Sequence, residues 1–245
     1  VVFFVSSVCT VLFVYNLVPV MFVLVNCCFD FCFGFVYADK QTGGRGRQGR
    51  QWDSPTGNLY CSLLLKPECS LQEAGLYAFI VAVALANTIE DIIDTDGIQP
   101  KLKWPNDVLI EKRKCAGILL ETETNSKNIV THLFIGFGVN ILPQEEGDRI
   151  GLSDYVEGVL RETVLNNFLK NLEYFINIYR KNGFLEIASA WRSYAFGLGE
   201  RGRARTVSGE YHGVFKDLDD DGALLLLLDN GDIKRITAGD VYFEK

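Results

Sequence analysis

The sequence predicts an α+β protein. Two long stretches with helical periodicity lie at 76–93 and 161–182, short apolar strand patterns stand between them, and from Gly199 onward the chain reads as strands and tight turns alone. Taken in order, 58–65 (NLYCSLLL) is a strand pattern ended by Lys66-Pro67. Ser70 then caps a helix, with Glu73 three residues on completing a capping box, and the apolar run 76–93 makes that helix mostly buried. Segments 101–104, 107–111, 115–123 and 129–141 read as consecutive strands of one sheet. The last is almost wholly apolar and therefore central.

The second helix, 161–182, carries Val164, Leu165, Phe168, Leu169, Leu172, Phe175, Ile176 and Tyr179 on one face and stops at Gly183; a short third helix follows at 185–194. Strands at 204–207, 211–215, 223–228 and 232–236 then form a small all-β unit. The expected organisation is an atypical apolar segment at 1–36, an α+β domain at 37–198 and the β unit at 199–245.

Composition is that of an ordinary globular chain: 245 residues, 48% hydrophobic and 22% charged, with 24 Lys+Arg against 31 Asp+Glu and a net charge of -7. That excludes a disordered or fibrous chain and disfavours nucleic-acid binding. Residues 1–36 depart from it, with Asp30 as their one charged side chain. The run is long enough for a membrane span, yet Pro19, Asn16 and Asn26 interrupt it, and it has neither the basic start nor the small-residue cleavage site of a secretory signal. The chain begins with Val, its only Met is Met21, and the segment uses residues with T-rich codons, so out-of-frame translation is the first expectation. A genuine hydrophobic extension and a membrane anchor are the alternatives.

Four of the seven cysteines (Cys9, Cys27, Cys28, Cys32) lie in this segment, and Cys61, Cys69 and Cys115 are scattered, so no disulfide framework is implied and a reducing cytoplasm is the default compartment. A metal site at Cys27, Cys28 and Cys32 lacks a nearby fourth ligand, since His132 and His212 are remote and belong to no catalytic motif.

Two segments carry chemistry. Gly43-Gly-Arg-Gly-Arg-Gln-Gly-Arg50 packs four glycines and three arginines into eight residues, which suits close backbone approach and guanidinium contact with an anion. It matches neither a P-loop nor a dinucleotide fingerprint, and a basic or RNA-touching loop is the plainer alternative. Lys101-Leu-Lys-Trp-Pro-Asn-Asp-Val-Leu-Ile110, followed by Lys114-Cys-Ala-Gly-Ile-Leu-Leu-Glu121, brings a cation, an amide and a carboxylate together at a hairpin; read alone, it is equally a turn with a surface lysine. Arg201, Arg203 and Arg205 read as a solvated strand edge. Asp217-x-Asp219-x-Asp221-Gly222 begins like an EF-hand loop but has Leu228 at the twelfth position, and so reads as a hairpin turn.

Together these segments resemble a biotin protein ligase. The resemblance runs from Tyr37 to the C-terminus through Ala38-Asp-Lys-Gln-Thr-Gly-Gly44-Arg-Gly-Arg47, Gly49-Arg-Gln-Trp52, Ser54-Pro-Thr-Gly-Asn-Leu-Tyr60, Lys103-Trp-Pro-Asn-Asp107, Lys114-Cys-Ala-Gly-Ile-Leu119, Gly136-Phe-Gly-Val-Asn140 and Thr237-Ala-Gly-Asp-Val241. It implies a catalytic domain like that of class II aminoacyl-tRNA synthetases followed by an SH3-like C-terminal barrel. The implied reaction makes biotinyl-5'-adenylate and pyrophosphate from biotin and MgATP, then passes biotin to a lysine of a biotin carboxyl carrier protein.

By matching position, Gln41 is implied to hydrogen-bond biotin, and Arg45, Gly46 and Arg47 to close over biotin and the adenylate phosphate. Lys114 would hold the biotin carboxylate and the α-phosphate; with Arg47 it is the catalytic candidate. Arg50, Trp52, Lys103, Asn106, Asp107 and Asn140 are implied to bind ATP or the adenylate, with Asp107 near the metal-bound triphosphate. Homodimerisation through the sheet is carried over, whereas a repressor role is not supported, for want of a helix-turn-helix domain. The family's Ser-Thr-Asn motif has no counterpart in 18–26 (VPVMFVLVN), which leaves an impaired ligase as one alternative and a lipoate-type acyl ligase as another.

Overall fold

A computed structural model describes residues 20–23, 34–95, 97–144 and 147–243; expectations about the rest of the N-terminal segment lie outside these residues. A seven-stranded antiparallel sheet has the order β1-β2-β3-β7-β6-β5-β4, built from β1 (Val20–Val23), β2 (Gly34–Ala38), β3 (Leu59–Leu65), β4 (Lys101–Lys103), β5 (Asp107–Ile110), β6 (Arg113–Thr124) and β7 (Val130–Val139). The apolar β7 occupies its middle, with Val130, Leu133, Ile135, Phe137 and Val139 buried and Thr131, His132, Phe134 and Gly136 only partly so. β2 starts at Gly34, three residues before the expected start of the charged part, and pairs with β3 along its full length, Gly34 opposite Leu64 and Ala38 opposite Tyr60.

Helix α1 (Leu71–Ile93) begins as expected: the Ser70 hydroxyl accepts from the Glu73 N–H at 3.2 Å while the Glu73 carboxylate accepts from the Ser70 N–H at 2.8 Å. It is the one described helix long and apolar enough to cross a membrane, yet it is a core helix, with Ile80 to Ala86 buried between β4–β7 and the helices α2 (Arg161–Asn182) and α3 (Phe184–Tyr194). α2 buries Val164, Leu165, Phe168, Leu172, Phe175 and Ile176, a single stripe at helical spacing, and sets Phe168 against Phe137 of β7 with ring centroids 4.4 Å apart. Arg161, its first residue, forms an ion pair with Asp39 at the end of β2 and so anchors the root of the following loop.

A second, five-stranded antiparallel sheet has the order β11-β10-β9-β8-β12, from β8 (Arg201–Thr206), β9 (Gly209–Leu218), β10 (Leu224–Leu228), β11 (Ile233–Ile236) and β12 (Asp240–Phe243). The last strand has no counterpart among the sequence expectations, being only four residues long. Because β12 pairs with β8, Arg201, Arg203 and Arg205 do not sit on an edge strand: Arg203 and Arg205 share Glu210, and both guanidinium groups stack on Tyr242. The acidic turn after β9 is a hairpin in which Arg235 takes both Asp219 and Asp221, while Asp217 near the end of β9 pairs with Arg192. At that turn Gly222 has φ +79°, and a Cβ there would reach the Phe79 ring of α1 at 2.5 Å. Phe79 packs edge-on against Phe184 and Trp191, and Trp191 against Phe215 of β9, so one aromatic cluster joins α1, α3 and the small sheet.

Candidate active site

The Gly/Arg segment leaves β2 and closes on itself. The Trp52 N–H donates to the Gly44 carbonyl (2.9 Å), the Gly46 N–H to the Arg50 carbonyl (2.7 Å), and Arg45 bridges to Gln51. At Gly44 a Cβ would fall 2.3 Å from the Trp52 carbonyl, so this crossing admits only glycine. Gln41 is fixed at the loop's base by the Ser54 hydroxyl, which donates to its Oε1 at 2.7 Å. The loop roofs a cavity of about 650 Å³, a volume that suits a small-molecule ligand. Its wall is β6 and β7, and its floor is made of glycine: Gly117 pairs with Gly138 and Leu119 with Gly136 across the two strands. The Trp52 indole lies on that floor, where a Cβ at Gly117 or Gly138 would come within 2.9–3.0 Å of the ring.

Five cations line the cavity: Arg45, Arg47, Arg50, Lys114 and Arg149. Lys114 on β6 forms an ion pair with Asp107 on β5 at 2.6 Å, and its Nζ lies 5.0 Å from the Trp52 ring centroid. Arg47 donates to Asn106 Oδ1 (3.3 Å) and the Gly239 carbonyl (3.0 Å) and meets Asp240 at 3.5 Å; Arg50 pairs with the same carboxylate. Burial pulls the Arg47 guanidinium below the usual arginine pKa while Asp240 and Asp107 push it back, and it stays a cation throughout the working range. Asn106 is in turn locked by donation to the Ile118 carbonyl at 2.6 Å.

Gln41, Arg45, Gly46, Arg47, Arg50, Trp52, Asn106, Asp107 and Lys114 therefore line one cavity. Lys103 and Asn140 stand apart from that lining. The Lys103 ammonium lies 5.4 Å from the Tyr242 ring centroid, and Asn140 is buried, donating its amide to the Lys114 carbonyl at 3.1 Å, where it holds the backbone that presents Lys114. The sequence did not single out Glu121, Asp148, Arg149, Asp240 or the glycine floor as site residues. Gly117, Gly138 and Asp240 stood inside segments that carried the resemblance; Asp148 and Arg149 left no signal.

Residues 34–140 match the Biotin/lipoate A/B protein ligase family and residues 197–244 the Biotin protein ligase C terminal domain. The chain is 34% identical to the biotin--[acetyl-CoA-carboxylase] ligase of Paracoccus denitrificans over 220 residues, covering 85% of this chain and 90% of that protein. The chain belongs to the biotin protein ligase family. It is also 38% identical to the bifunctional ligase/repressor BirA of Bacillus subtilis over 215 residues, 84% of this chain but 65% of that longer relative. Among solved structures, the Aquifex aeolicus biotin protein ligase in complex with biotin and ATP superposes with a TM-score of 0.73 at 30% identity, covering 86% of this chain and 88% of that one. The fold is thus that of biotin protein ligases, an α+β architecture followed by that family's C-terminal domain.

Proposed function

We propose that the protein is an ATP-dependent, AMP-forming biotin protein ligase: it activates biotin as biotinyl-5'-AMP and transfers it to a lysine of a biotin carboxyl carrier protein. The observation that carries this reading is the convergence, on one glycine-floored cavity, of cations from the Gly/Arg loop, β6 and the segment after β7. In the first half-reaction a biotin carboxylate oxygen attacks the α-phosphorus of ATP, a C–O–P bond forms, and the Pα–O bond to pyrophosphate breaks. Two anions must meet there, so fixed cations stabilise the charge-rich transition state.

Lys114 and Arg47 take that role, with Lys114 on the biotin carboxylate and α-phosphate. Gln41, Arg45 and Gly46 hold biotin, while Arg50, Trp52, Asn106 and Asp107 hold the nucleotide. Lys103 and Asn140 act from outside the cavity, Asn140 by holding the Lys114 carbonyl. In the second half-reaction the acceptor ε-amine attacks the acyl carbon, the amide forms and AMP leaves. A loop folded over the mixed anhydride keeps water from it in the meantime.

Among the described residues no three acidic, His or Cys side chains are grouped to hold a metal ion. Mg²⁺ is commonly held by one or two carboxylates plus substrate phosphates, and the cavity fits that arrangement, with Asp107 as the residue that would hold it. Mg²⁺ would supply charge neutralisation on the triphosphate.

The same reading takes 37–198 as the catalytic unit, 199–245 as the SH3-like unit, a homodimer through the sheet as the assembly and the cytoplasm as the compartment. Biotin-dependent exchange of labelled pyrophosphate into ATP is the test. Exchange with biotin supports the ligase, exchange only with lipoate or octanoate makes it a lipoate-type enzyme, and no exchange by the folded protein makes it an impaired ligase.

A further inference from the structure

The distribution of counter-charges in the cavity singles out Arg149. Lys114 is matched by Asp107, Arg47 and Arg50 share Asp240, and Arg45 faces Glu121 at 3.6 Å. Arg149 lines the same cavity, and no described carboxylate lies within ion-pair distance of it; its contact is with the Trp52 ring, 5.8 Å from guanidinium carbon to centroid. It is also placed beside Lys114 by backbone. The Lys114 N–H donates to the Asp148 carbonyl at 2.7 Å and the Ile150 N–H to the Lys114 carbonyl at 3.1 Å, so Arg149 stands between two hydrogen bonds to that residue. Both side chains reach one indole, Lys114 neutralised by its carboxylate and Arg149 by none of the described ones.

We propose that Arg149 is a binding residue for the phosphate chain of the nucleotide, an assignment that rests on the adenylating reading above. An anion that engages Arg47, Arg50 or Lys114 must first compete with Asp240 or Asp107, whereas at Arg149 it meets a cation–π contact and no described carboxylate. The guanidinium fork matches phosphate oxygens in pairs, and of the two substrates ATP, with its triphosphate, carries far more charge than biotin with one carboxylate.

The test compares the full-length protein with its Arg149→Met and Arg149→Lys variants by calorimetric binding of ATP, adenosine and biotin, each alone. Removing a charged hydrogen-bond partner predicts a loss of ATP affinity of roughly 10- to 100-fold in the methionine variant, with partial recovery in the lysine variant and no change for adenosine or biotin. Unchanged ATP affinity overturns the assignment. So does an equal loss for adenosine, which makes Arg149 a stacking or structural residue, or a loss confined to biotin, which makes it a carboxylate ligand. If the parent protein binds neither ATP nor biotin, the adenylating reading falls with it; if the parent binds both and exchanges pyrophosphate while both variants match it, only the role of Arg149 falls.

Discussion

At Gly138 a single methyl group is enough to disturb the site. A Cβ there would stand 2.9 Å from the Trp52 indole nitrogen and 3.0 Å from two ring carbons, and the indole is rigid, so it would leave its glycine floor. Misplacement of about 1 Å at a reacting centre costs up to ~10²-fold in rate. Gly138→Ala is therefore expected to cut biotin-dependent pyrophosphate exchange by one to two orders of magnitude on that scale, with an unaltered unfolding midpoint, as read by exchange kinetics and thermal unfolding side by side. Arg47 acts differently. It ties the Gly/Arg loop to Asn106, Gly239 and Asp240, and its removal frees the roof more than it unmakes the wall. Arg47→Gly is expected to keep part of the adenylate formation but to release the adenylate early, seen as biotinyl-AMP in solution and as biotinylation of bystander lysines; retention as tight as in the parent would refute it.

At the scale of elements, α1 and β12 make separate contributions. The Ser70–Glu73 box satisfies two N–H groups that the start of α1 cannot pair internally, and loss of such a cap costs about 0.5–2 kcal/mol. The Ser70 N–H and then its hydroxyl hold the Glu73 carboxyl below 4.5. A carboxyl lowered by folding stabilises the protein above its unfolded value, and that contribution fades as pH falls through the lowered one. Ser70→Ala should thus lower the urea midpoint at neutral pH, and the gap from the parent should narrow in acid as Glu73 protonates in both. β12 delivers Asp240, the carboxylate on which Arg47 and Arg50 both rest, from the small sheet into the cavity of the large one. Asp240→Asn would release both arginines to the ligand's phosphate. The expected result is a mobile loop in the empty protein, read as faster proteolysis at the Gly/Arg segment that biotin and ATP reverse.

Over the whole molecule the two sheets share a core. The buried Trp104 indole donates to the Gly222 carbonyl at 3.0 Å, and Phe79, Trp191 and Phe215 continue the contact. Trp104→Phe leaves that carbonyl unpaired in a buried place, at a cost of about 1–3 kcal/mol, and should lower one common unfolding transition for both sheets; two separate transitions would contradict the shared core. Much of this was legible beforehand. The capping box, the stripe on α2, the central place of β7 and the hairpin at 101–114 follow from local pattern, because periodicity reports which face is buried. The short β12 and the interior position of β8 were not, since strand pairing joins residues far apart in the chain and four residues carry too little pattern to announce it.

By itself the sequence determined the helices, most of the strands, and a Gly/Arg loop and Lys114 hairpin that resemble a biotin ligase. Tertiary structure alone decided that Gly117 and Gly138 face each other as a floor for Trp52, that Asp240 reaches across from the second sheet, and that Arg149 stands beside Lys114 with no counter-charge among the described residues. The physical reason is range: helix and strand preference is set by neighbours within a few positions, whereas pairing of charges and close packing depends on distances that only the folded chain establishes.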